Sequence, residues 1–161
     1  MKKRVFRISK IIFIMYCVIL IVVLFLRNGR NFSLEFSSLG ERLDENANLV
    51  PFKTIKNYLS ALEAGNVSVS VVRINILGNF LLFLPLGYFL PKFSSKVGFI
   101  NNEVRVLAII AGAETLQLLT GLGSFDVDDI ILNFAGSIFG YVLFLLTNKL
   151  KIGKNNIRQE S

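Results

Sequence analysis

Acidic and amide side chains of this chain lie inside or beside strongly apolar runs, where groups capable of chemistry stand out. Glu114 and Gln117 lie in one such run, and Asn133 lies in the next. An ionised side chain at membrane depth costs about 3 kcal/mol or more, so polar residues in this setting indicate a functional cluster. Paired carboxyl groups can transfer protons, and they can also bind a polar ligand. The catalytic candidates are Glu114, Asp126 and Asp129.

The acidic string of Asp126, Asp128 and Asp129 directly precedes the last apolar run. Aspartates at the start of a helix accept hydrogen bonds from free N–H groups, and capping explains one or two of the three. A remaining carboxylate could bind a divalent cation together with Glu114, but no ligand spacing specifies one. The chain has no histidine and a single cysteine, which excludes His-ligated zinc and Ser-His-Asp or Cys-His catalysis. No metal and no cofactor is therefore predicted.

The elements that must position these groups are apolar helices. The chain has 161 residues, 53% of them hydrophobic, which is far more than a soluble domain of this size contains. Four apolar runs are each long enough to cross a bilayer, given tilt or snorkelling at their ends. The sequence therefore predicts an all-α, polytopic membrane protein with four transmembrane helices. These helices are predicted at 11–26, 71–90, 104–121 and 127–147.

The remaining segments follow from these helices. The first apolar run could be a signal peptide, but no small-x-small cleavage site follows it, so an uncleaved anchor is the preferred interpretation. The other predicted segments are a basic N-terminus at 1–10, an outer loop of 44 residues at 27–70, a core of three helices at 71–147 and a tail at 148–161.

The distribution of charge predicts the orientation of the helices. The two termini and the loop between the second and third helices carry twelve Lys and Arg against two acids, counting Glu103 as a loop residue. The other side carries six Lys and Arg against nine acids. By the positive-inside rule, both termini are cytoplasmic and the chain is a multi-pass protein of the cell membrane. The net charge of +7 is thus a sign of topology, and nucleic acid is not a predicted partner.

This orientation puts the polar residues of three helices at one shallow depth near the outer surface. Asn75 and Asn79 lie one helical turn apart and share a face, as do Glu114 and Gln117 on the next helix. An outward-facing polar pocket is therefore predicted, in which Arg73 is a candidate partner of Glu114. Small residues at i and i+4 in the last helix, at 136 and 140, predict close packing against the preceding helix in a tight antiparallel hairpin.

The outer loop contains one distinctive segment. Residues 48–52 read NLVPF, which is apolar where a solvated loop would be polar, and an amphipathic helical pattern follows at 54–62. This pattern predicts an interfacial helix over the mouth of the pocket, or alternatively a loop segment resting on the headgroup region. Asn48, Pro51 and Phe52 therefore join the predicted binding residues.

Four strings in this order resemble the VanZ-like family: NLVPF at 48–52, NILGNFLLFLPLGYFLP at 75–91, ETLQ at 114–117 and DVDDIILNFAGSIFGY at 126–141. The first helix and the tails lie outside this resemblance. It implies an integral membrane protein of the Gram-positive cell envelope, whose namesake is associated with resistance to teicoplanin, and it implies no biochemical activity. Many members have a basic residue near the acidic string, whereas this chain has Leu122, Gly123 and Ser124 there.

Three functional hypotheses follow. The first is an envelope protein that engages a lipid-linked precursor or a lipoglycopeptide at the outer leaflet of the bilayer. The second is an intramembrane enzyme that uses carboxyl groups on a lipid-linked substrate. The third, an ion pathway, is disfavoured because the inner halves of the predicted helices lack ionisable groups. The predicted binding residues are Asn48, Pro51, Phe52, Arg73, Asn75, Asn79, Glu114, Gln117, Asp126, Asp128, Asp129 and Asn133.

Overall fold

The fold is a group of helices joined at one end by a short strand pair. The computed structural model describes residues 2–26, 44, 46–94 and 98–157, so loop residues 27–43 and tail residues 158–161 lie outside the description. The helices are α1 (Lys2–Leu26), α2 (Lys53–Glu63), α3 (Val69–Phe93), α4 (Phe99–Thr120) and α5 (Val127–Ile157). Strands β1 (Ala47–Asn48) and β2 (Phe125–Asp126) form a parallel pair. The predicted all-α class is confirmed, with this pair as its departure within the described residues.

Three helices are long and apolar enough to cross a membrane by length and composition. These segments are Arg4–Phe25 in α1, Val69–Phe93 in α3 and Val127–Lys149 in α5. The 22 residues of α4 are not among them, because Glu103, Arg105 and Glu114 interrupt its apolar character. Length and composition therefore support three of the four predicted spans.

The ends of the helices follow from local sequence. The Ser68 hydroxyl accepts a hydrogen bond from the Val71 backbone nitrogen at 3.4 Å and caps the start of α3. Helix α4 ends at Gly121, whose φ of 69° is a left-handed conformation that glycine adopts without strain. The predicted amphipathic helix after NLVPF is confirmed as α2, in which no residue is fully buried. Its position at the membrane interface stays a prediction.

The closest helix packing in the fold joins α3 to α5. A Cβ atom at Gly136 would overlap the carbonyl oxygen of Phe80, and one at Gly140 would overlap that of Leu84. From α3, Gly87 meets the backbone of α5 in the same way, so the two helices cross backbone to backbone. The prediction that these glycines pack against the preceding helix is wrong. A small-residue motif shows that a partner lies close, but it does not show which helix that partner is.

The same contacts give the direction of the helices. Phe80 meets Gly136 and Leu84 meets Gly140, so residue numbers rise together along the two helices and α3 runs parallel to α5. Since α4 joins the end of α3 to the start of α5, it runs antiparallel to both.

Helix α1 packs antiparallel to α3 through aromatic rings and one hydroxyl. The ring of Phe13 lies 5.4 Å from that of Phe93, and the Tyr16 hydroxyl donates to the Leu82 carbonyl at 2.7 Å. A small core forms where α1, α3 and α4 meet; its buried members are Leu20, Phe83, Leu86, Val106 and Ile110. Most other large apolar side chains face outward, as expected when lipid is the surrounding medium.

We predict that Gly136→Ala lowers the free energy of unfolding by about 1–3 kcal/mol, because the new methyl group would press on a backbone carbonyl that cannot rotate away. Thermal unfolding of the purified chain in detergent measures this effect. Gly112→Ala is the matched control: Gly112 lies within α4 with nothing inside 4 Å of a new Cβ, so alanine there should stabilise the helix by up to about 1 kcal/mol. Equal effects of the two substitutions would contradict the close crossing.

Candidate functional site

The site is built around the turn between α4 and α5, where β2 brings the acidic string beside the outer loop. In the strand pair, Asn48 lies opposite Asp126. Asp126 also precedes the first residue of α5, and its Oδ1 accepts from the Asp128 backbone nitrogen at 2.8 Å. It therefore caps α5, which agrees with the expectation that capping explains part of the acidic string.

The carboxylate of Asp126 also holds the loop segment that contains NLVPF. Asn48 donates to its Oδ1 at 3.1 Å, and the Thr54 hydroxyl donates to its Oδ2 at 2.6 Å. Asn48 also donates to the Thr54 hydroxyl oxygen at 3.0 Å, which completes a hydrogen-bond network of three residues. Because both oxygens of Asp126 accept hydrogen bonds, this group is suited to holding the loop rather than to transferring protons.

Asp128 caps a different helix from its own. Its Oδ1 accepts from the backbone nitrogen of Phe52, and its Oδ2 accepts from that of Ile55 at 3.0 Å. These donors are free N–H groups at the start of α2, a helix that has no side-chain cap from its own N-cap residue. Asp128 is fully buried at this junction and connects the start of α2 to the first turn of α5.

Phe52 adopts a strained backbone conformation at this contact. Its φ of 64° lies in the left-handed region, which costs a residue with a side chain about 1–2 kcal/mol. The two hydrogen bonds to Asp128 offset this strain, since bonds to a charged acceptor contribute about 1.5–3 kcal/mol each. Phe52 is 52% exposed, and its neighbours Leu49 and Val50 are exposed as well.

An open polar pocket of about 360 Å³ lies between α2, α3 and the start of α5. Asp126, Asp128 and Asp129 form one wall, and the rest combines hydroxyl and amide groups with three apolar side chains. We refer to it as the outer pocket. Its lining residues are Thr54, Ile55, Tyr58, Asn75, Ile76, Ser124, Asp126, Asp128, Asp129 and Leu132.

A smaller cavity of about 30 Å³ lies beside the outer pocket, and Asp129 and Ser124 line both spaces. Glu114 and Asn133, each 2% exposed, also line it. We refer to it as the inner cavity. The complete lining is Val23, Leu24, Asn79, Leu82, Glu114, Gln117, Ser124, Asp129 and Asn133.

Amide side chains connect the inner cavity to its neighbouring helices. Gln117 donates to the Leu24 carbonyl of α1 at 2.8 Å, and Asn79 of α3 donates to the carboxylate of Asp129. Glu114 Oε2 accepts from the Asp126 backbone nitrogen at 3.3 Å. Four helices therefore meet at the inner cavity through polar contacts.

The predicted residues divide into three groups. Asn79, Glu114, Gln117, Asp129 and Asn133 line the inner cavity, whereas Asn75, Asp126 and Asp128 line the outer pocket with Asp129. Asn48 and the Phe52 backbone hold the loop against Asp126 and Asp128. That these groups bind a ligand stays a prediction.

Two predicted residues lie apart from both spaces. Arg73 is exposed on α3, and none of the hydrogen bonds or ion pairs found among the described residues joins it to Glu114. The predicted pairing is not seen, because the carboxylate of Glu114 turns toward the backbone of Asp126. Pro51 is exposed and does not line either space.

Sequence reasoning missed several residues of the site. Thr54, Tyr58 and Ser124 line the outer pocket, and Thr54 directly joins the loop to Asp126. A hydroxyl one residue into the helix after an apolar segment was the available signal for Thr54. The positions of Tyr58 and Ser124 depend on how α2 docks, which no local pattern shows.

A second buried polar cluster was also missed. Glu103, assigned to a loop by sequence, lies in α4 and accepts from Ser137 at 2.9 Å and from Asn102 at 2.8 Å. The assignment of Glu103 to a loop is therefore wrong, and the end of α4 far from the acidic string contains a buried ionisable group. Fully buried Val106 and Ile110 lie between Glu103 and Glu114, so no polar path connects the two clusters through α4.

Comparison with known proteins gives a match that covers all residues of the two spaces. The family model described as VanZ/LLP1 matches residues 13–148. Protein VanZ of Enterococcus faecium is 30% identical over 108 residues, which cover 63% of this chain and 67% of that protein. The match includes most of α1, which the resemblance read from the sequence left out. No solved structure matches the chain.

We predict that Asp128→Asn releases the start of α2, because an amide NH₂ would face one of the two backbone N–H groups that the carboxylate accepts. Hydrogen exchange should show lost protection at Phe52 and Ile55, together with a loss of about 1–3 kcal/mol of stability. Asp44→Asn, at an exposed position, is the control and should leave both amides protected. Unchanged exchange in Asp128→Asn would rule out this capping contact.

Proposed function

The chain belongs to the VanZ/LLP1 family, and from this premise we propose that it is a multi-pass protein of the bacterial cell envelope that lowers sensitivity to teicoplanin-type lipoglycopeptides. In this proposal the outer pocket binds a lipid-linked envelope precursor or the lipoglycopeptide itself. The observation that carries the proposal is the outer pocket of about 360 Å³, whose walls combine three aspartates with hydroxyl and amide groups.

The parallel arrangement of α3 and α5 supports four membrane spans. Two parallel spans that follow one another in the chain require a return crossing between them, and α4 is the helix that connects them. Its 22 residues reach about 33 Å at 1.5 Å per residue, enough for the hydrocarbon core. Of the polar groups that lower its hydropathy, Glu103, Glu114 and Gln117 are buried inside the protein and avoid lipid, whereas Arg105 is exposed near the start of the helix.

The charge distribution supports an outward orientation of the pocket. The acidic string lies at the end of the helices opposite to the basic N-terminus and Lys149. Cytoplasmic segments of membrane proteins carry an excess of basic residues, which supports a cytoplasmic position for both termini. The outer pocket then opens toward the outer leaflet, where cell-wall precursors and lipoglycopeptides meet.

The chemistry of the pocket favours a ligand with hydroxyl or ammonium groups. Carboxylates accept hydrogen bonds and attract cations, whereas they repel phosphate. Thr54, Tyr58 and Ser124 add hydroxyl groups that donate and accept in turn. A sugar or an amino group would therefore enter the pocket, while the phosphate of a lipid-linked ligand would stay outside it.

The geometry favours a binding protein over an intramembrane enzyme. Glu114 lines the inner cavity of about 30 Å³ and not the outer pocket, so it does not reach a ligand held there. Asp126 already accepts hydrogen bonds at both oxygens. Of the three catalytic candidates, Asp129 combines access to the outer pocket with a place beside Glu114.

Single cysteines introduced into a Cys17→Ala background test the topology. Ser124→Cys, at an exposed position next to the acidic string, should react with a membrane-impermeant maleimide in intact cells. Asn101→Cys, exposed at the start of α4, should react only after the membrane is permeabilised. Labelling of both positions in intact cells would contradict the return crossing by α4.

Antibiotic susceptibility tests the function. Expression of the chain in a sensitive host should raise the inhibitory concentration of teicoplanin more than that of vancomycin, and Asn75→Leu should reduce the difference. Asn75 lines the outer pocket, and within the described part of the chain its side chain bonds only to the Val71 carbonyl of its own helix, so its loss should spare the fold. Asn101→Leu is the matched control, because it removes an exposed amide outside the pocket. Unchanged teicoplanin sensitivity at confirmed membrane expression would refute the proposal.

A further inference from the structure

The inner cavity has an unusual polar lining for a space between apolar helices. Residues of α1, α3, α4 and α5 enclose it, so it lies at the point where all four long helices meet. Its polar lining consists of two carboxylates, three amides and one hydroxyl, from Glu114, Asp129, Asn79, Gln117, Asn133 and Ser124. None of these is a positively charged group.

The amide groups of the lining offer oxygen atoms as acceptors. Gln117 donates its nitrogen to the Leu24 carbonyl and Asn79 donates its nitrogen to Asp129, so in both residues the amide oxygen is the atom that these bonds do not use. The Oδ1 atom of Asn133 is buried without a hydrogen-bond partner, although the residue is 2% exposed. A buried, unpaired acceptor costs about 1–3 kcal/mol, so its retention indicates an occupant that completes it.

The lining offers more acceptors than donors, the donors being the Ser124 hydroxyl and the Asn133 NH₂ group. A single water molecule donates two hydrogen bonds, whereas the lining offers three amide oxygens in addition to the carboxylates of Glu114 and Asp129. A cation can contact several oxygens at once. The volume of about 30 Å³ has room for one or two water-sized occupants, which excludes an organic cation and a fully hydrated ion.

The donor atoms identify the class of cation. Within the described residues no three His, Cys, Asp or Glu side chains are grouped as metal ligands, and neither His nor Cys lines the cavity. An all-oxygen set of carboxylates and amides suits a hard cation. Two carboxylates match a divalent charge, and a dehydrated site disfavours Mg²⁺, which retains its waters; Ca²⁺ accepts 6–8 oxygens from flexible side chains.

We propose that the inner cavity binds one Ca²⁺ ion between Glu114 of α4, Asp129 and Asn133 of α5 and the amide oxygens of Asn79 and Gln117. The ion ties α3, α4 and α5 together directly behind the wall that the inner cavity shares with the outer pocket. Bound Ca²⁺ thereby fixes the position of Asp129 on that shared wall. The site exists whether or not the outer pocket binds a lipoglycopeptide.

Calorimetric titration of the purified full chain in detergent tests the site. Calcium chloride should bind with one site per chain and raise the unfolding temperature, and magnesium or sodium at equal ionic strength should do so far less. Asn133→Leu and Glu114→Gln should each weaken Ca²⁺ binding about ten-fold or more. Ser137→Ala, which removes a buried polar group from the separate Glu103 cluster, is the control and should bind Ca²⁺ as the unaltered chain does.

Asn133→Asp separates loss of the site from loss of the fold. It keeps the side-chain oxygen and adds a charge, so it should bind Ca²⁺ at least as tightly as the unaltered chain. The proposal is overturned if the unaltered chain binds no Ca²⁺ up to about 10 mM, above the weak end of protein calcium sites. Equal affinity in folded Asn133→Leu overturns it as well. The proposal is also overturned if sodium raises the unfolding temperature while calcium neither raises it as much nor competes with sodium. No antibiotic enters these measurements, so the outcome is separate from that of the susceptibility test.

Discussion

Asp126 and Asp128 together make the contact on which the outer pocket depends. The first holds Asn48 and Thr54 through its side chain, and the second accepts two backbone N–H groups at the start of α2. Without these bonds, α2 has no fully buried residue to keep it docked. The two carboxylates therefore convert an exposed amphipathic helix into a wall of the pocket.

Asp126 and Asp128 form a clamp that holds α2. The clamp keeps its position because α3 and α5 are fixed to each other by close backbone packing. Gly136 and Gly140 bring α5 against α3, where lipid provides no hydrophobic drive and shape complementarity has to supply the attraction. This crossing sets where α5 begins relative to α3, and so sets the gap that the outer pocket and the inner cavity occupy. Polar groups of the site thus rely on apolar and glycine contacts several turns away.

A large part of the fold could be read from the sequence, because lipid imposes simple rules on length and polarity. The helix class and the convergence of Glu114, Gln117, Asn79 and Asn133 at one depth follow from hydropathy and from 1.5 Å per residue. Partner choice could not be read in this way. The glycines select α3 through its matching surface, and Asp128 caps a helix that lies 73 residues earlier in the chain.

The residues misjudged from the sequence show the same limit. Glu103 adjoins a loop in the sequence, yet the rotation of α4 turns it toward Ser137 and buries it. Arg73 lies at the correct depth for pairing with Glu114, but it faces outward on α3. Depth is a one-dimensional property of an apolar run, whereas the facing of each side chain depends on how helices rotate against one another.

The long separation between the two sides of the clamp has a consequence for how the protein is made. Asn48 and Asp126 are 78 residues apart, and Phe52 and Asp128 are 76 apart. During synthesis the ribosome must therefore complete α3, α4 and their connection before the carboxylates that hold the start of α2 exist. Until then α2 can pack against α3, but the strained turn at Phe52 lacks its hydrogen bond to Asp128. The outer pocket therefore cannot assemble before the acidic string is made, and a chain that stops before that string cannot form it.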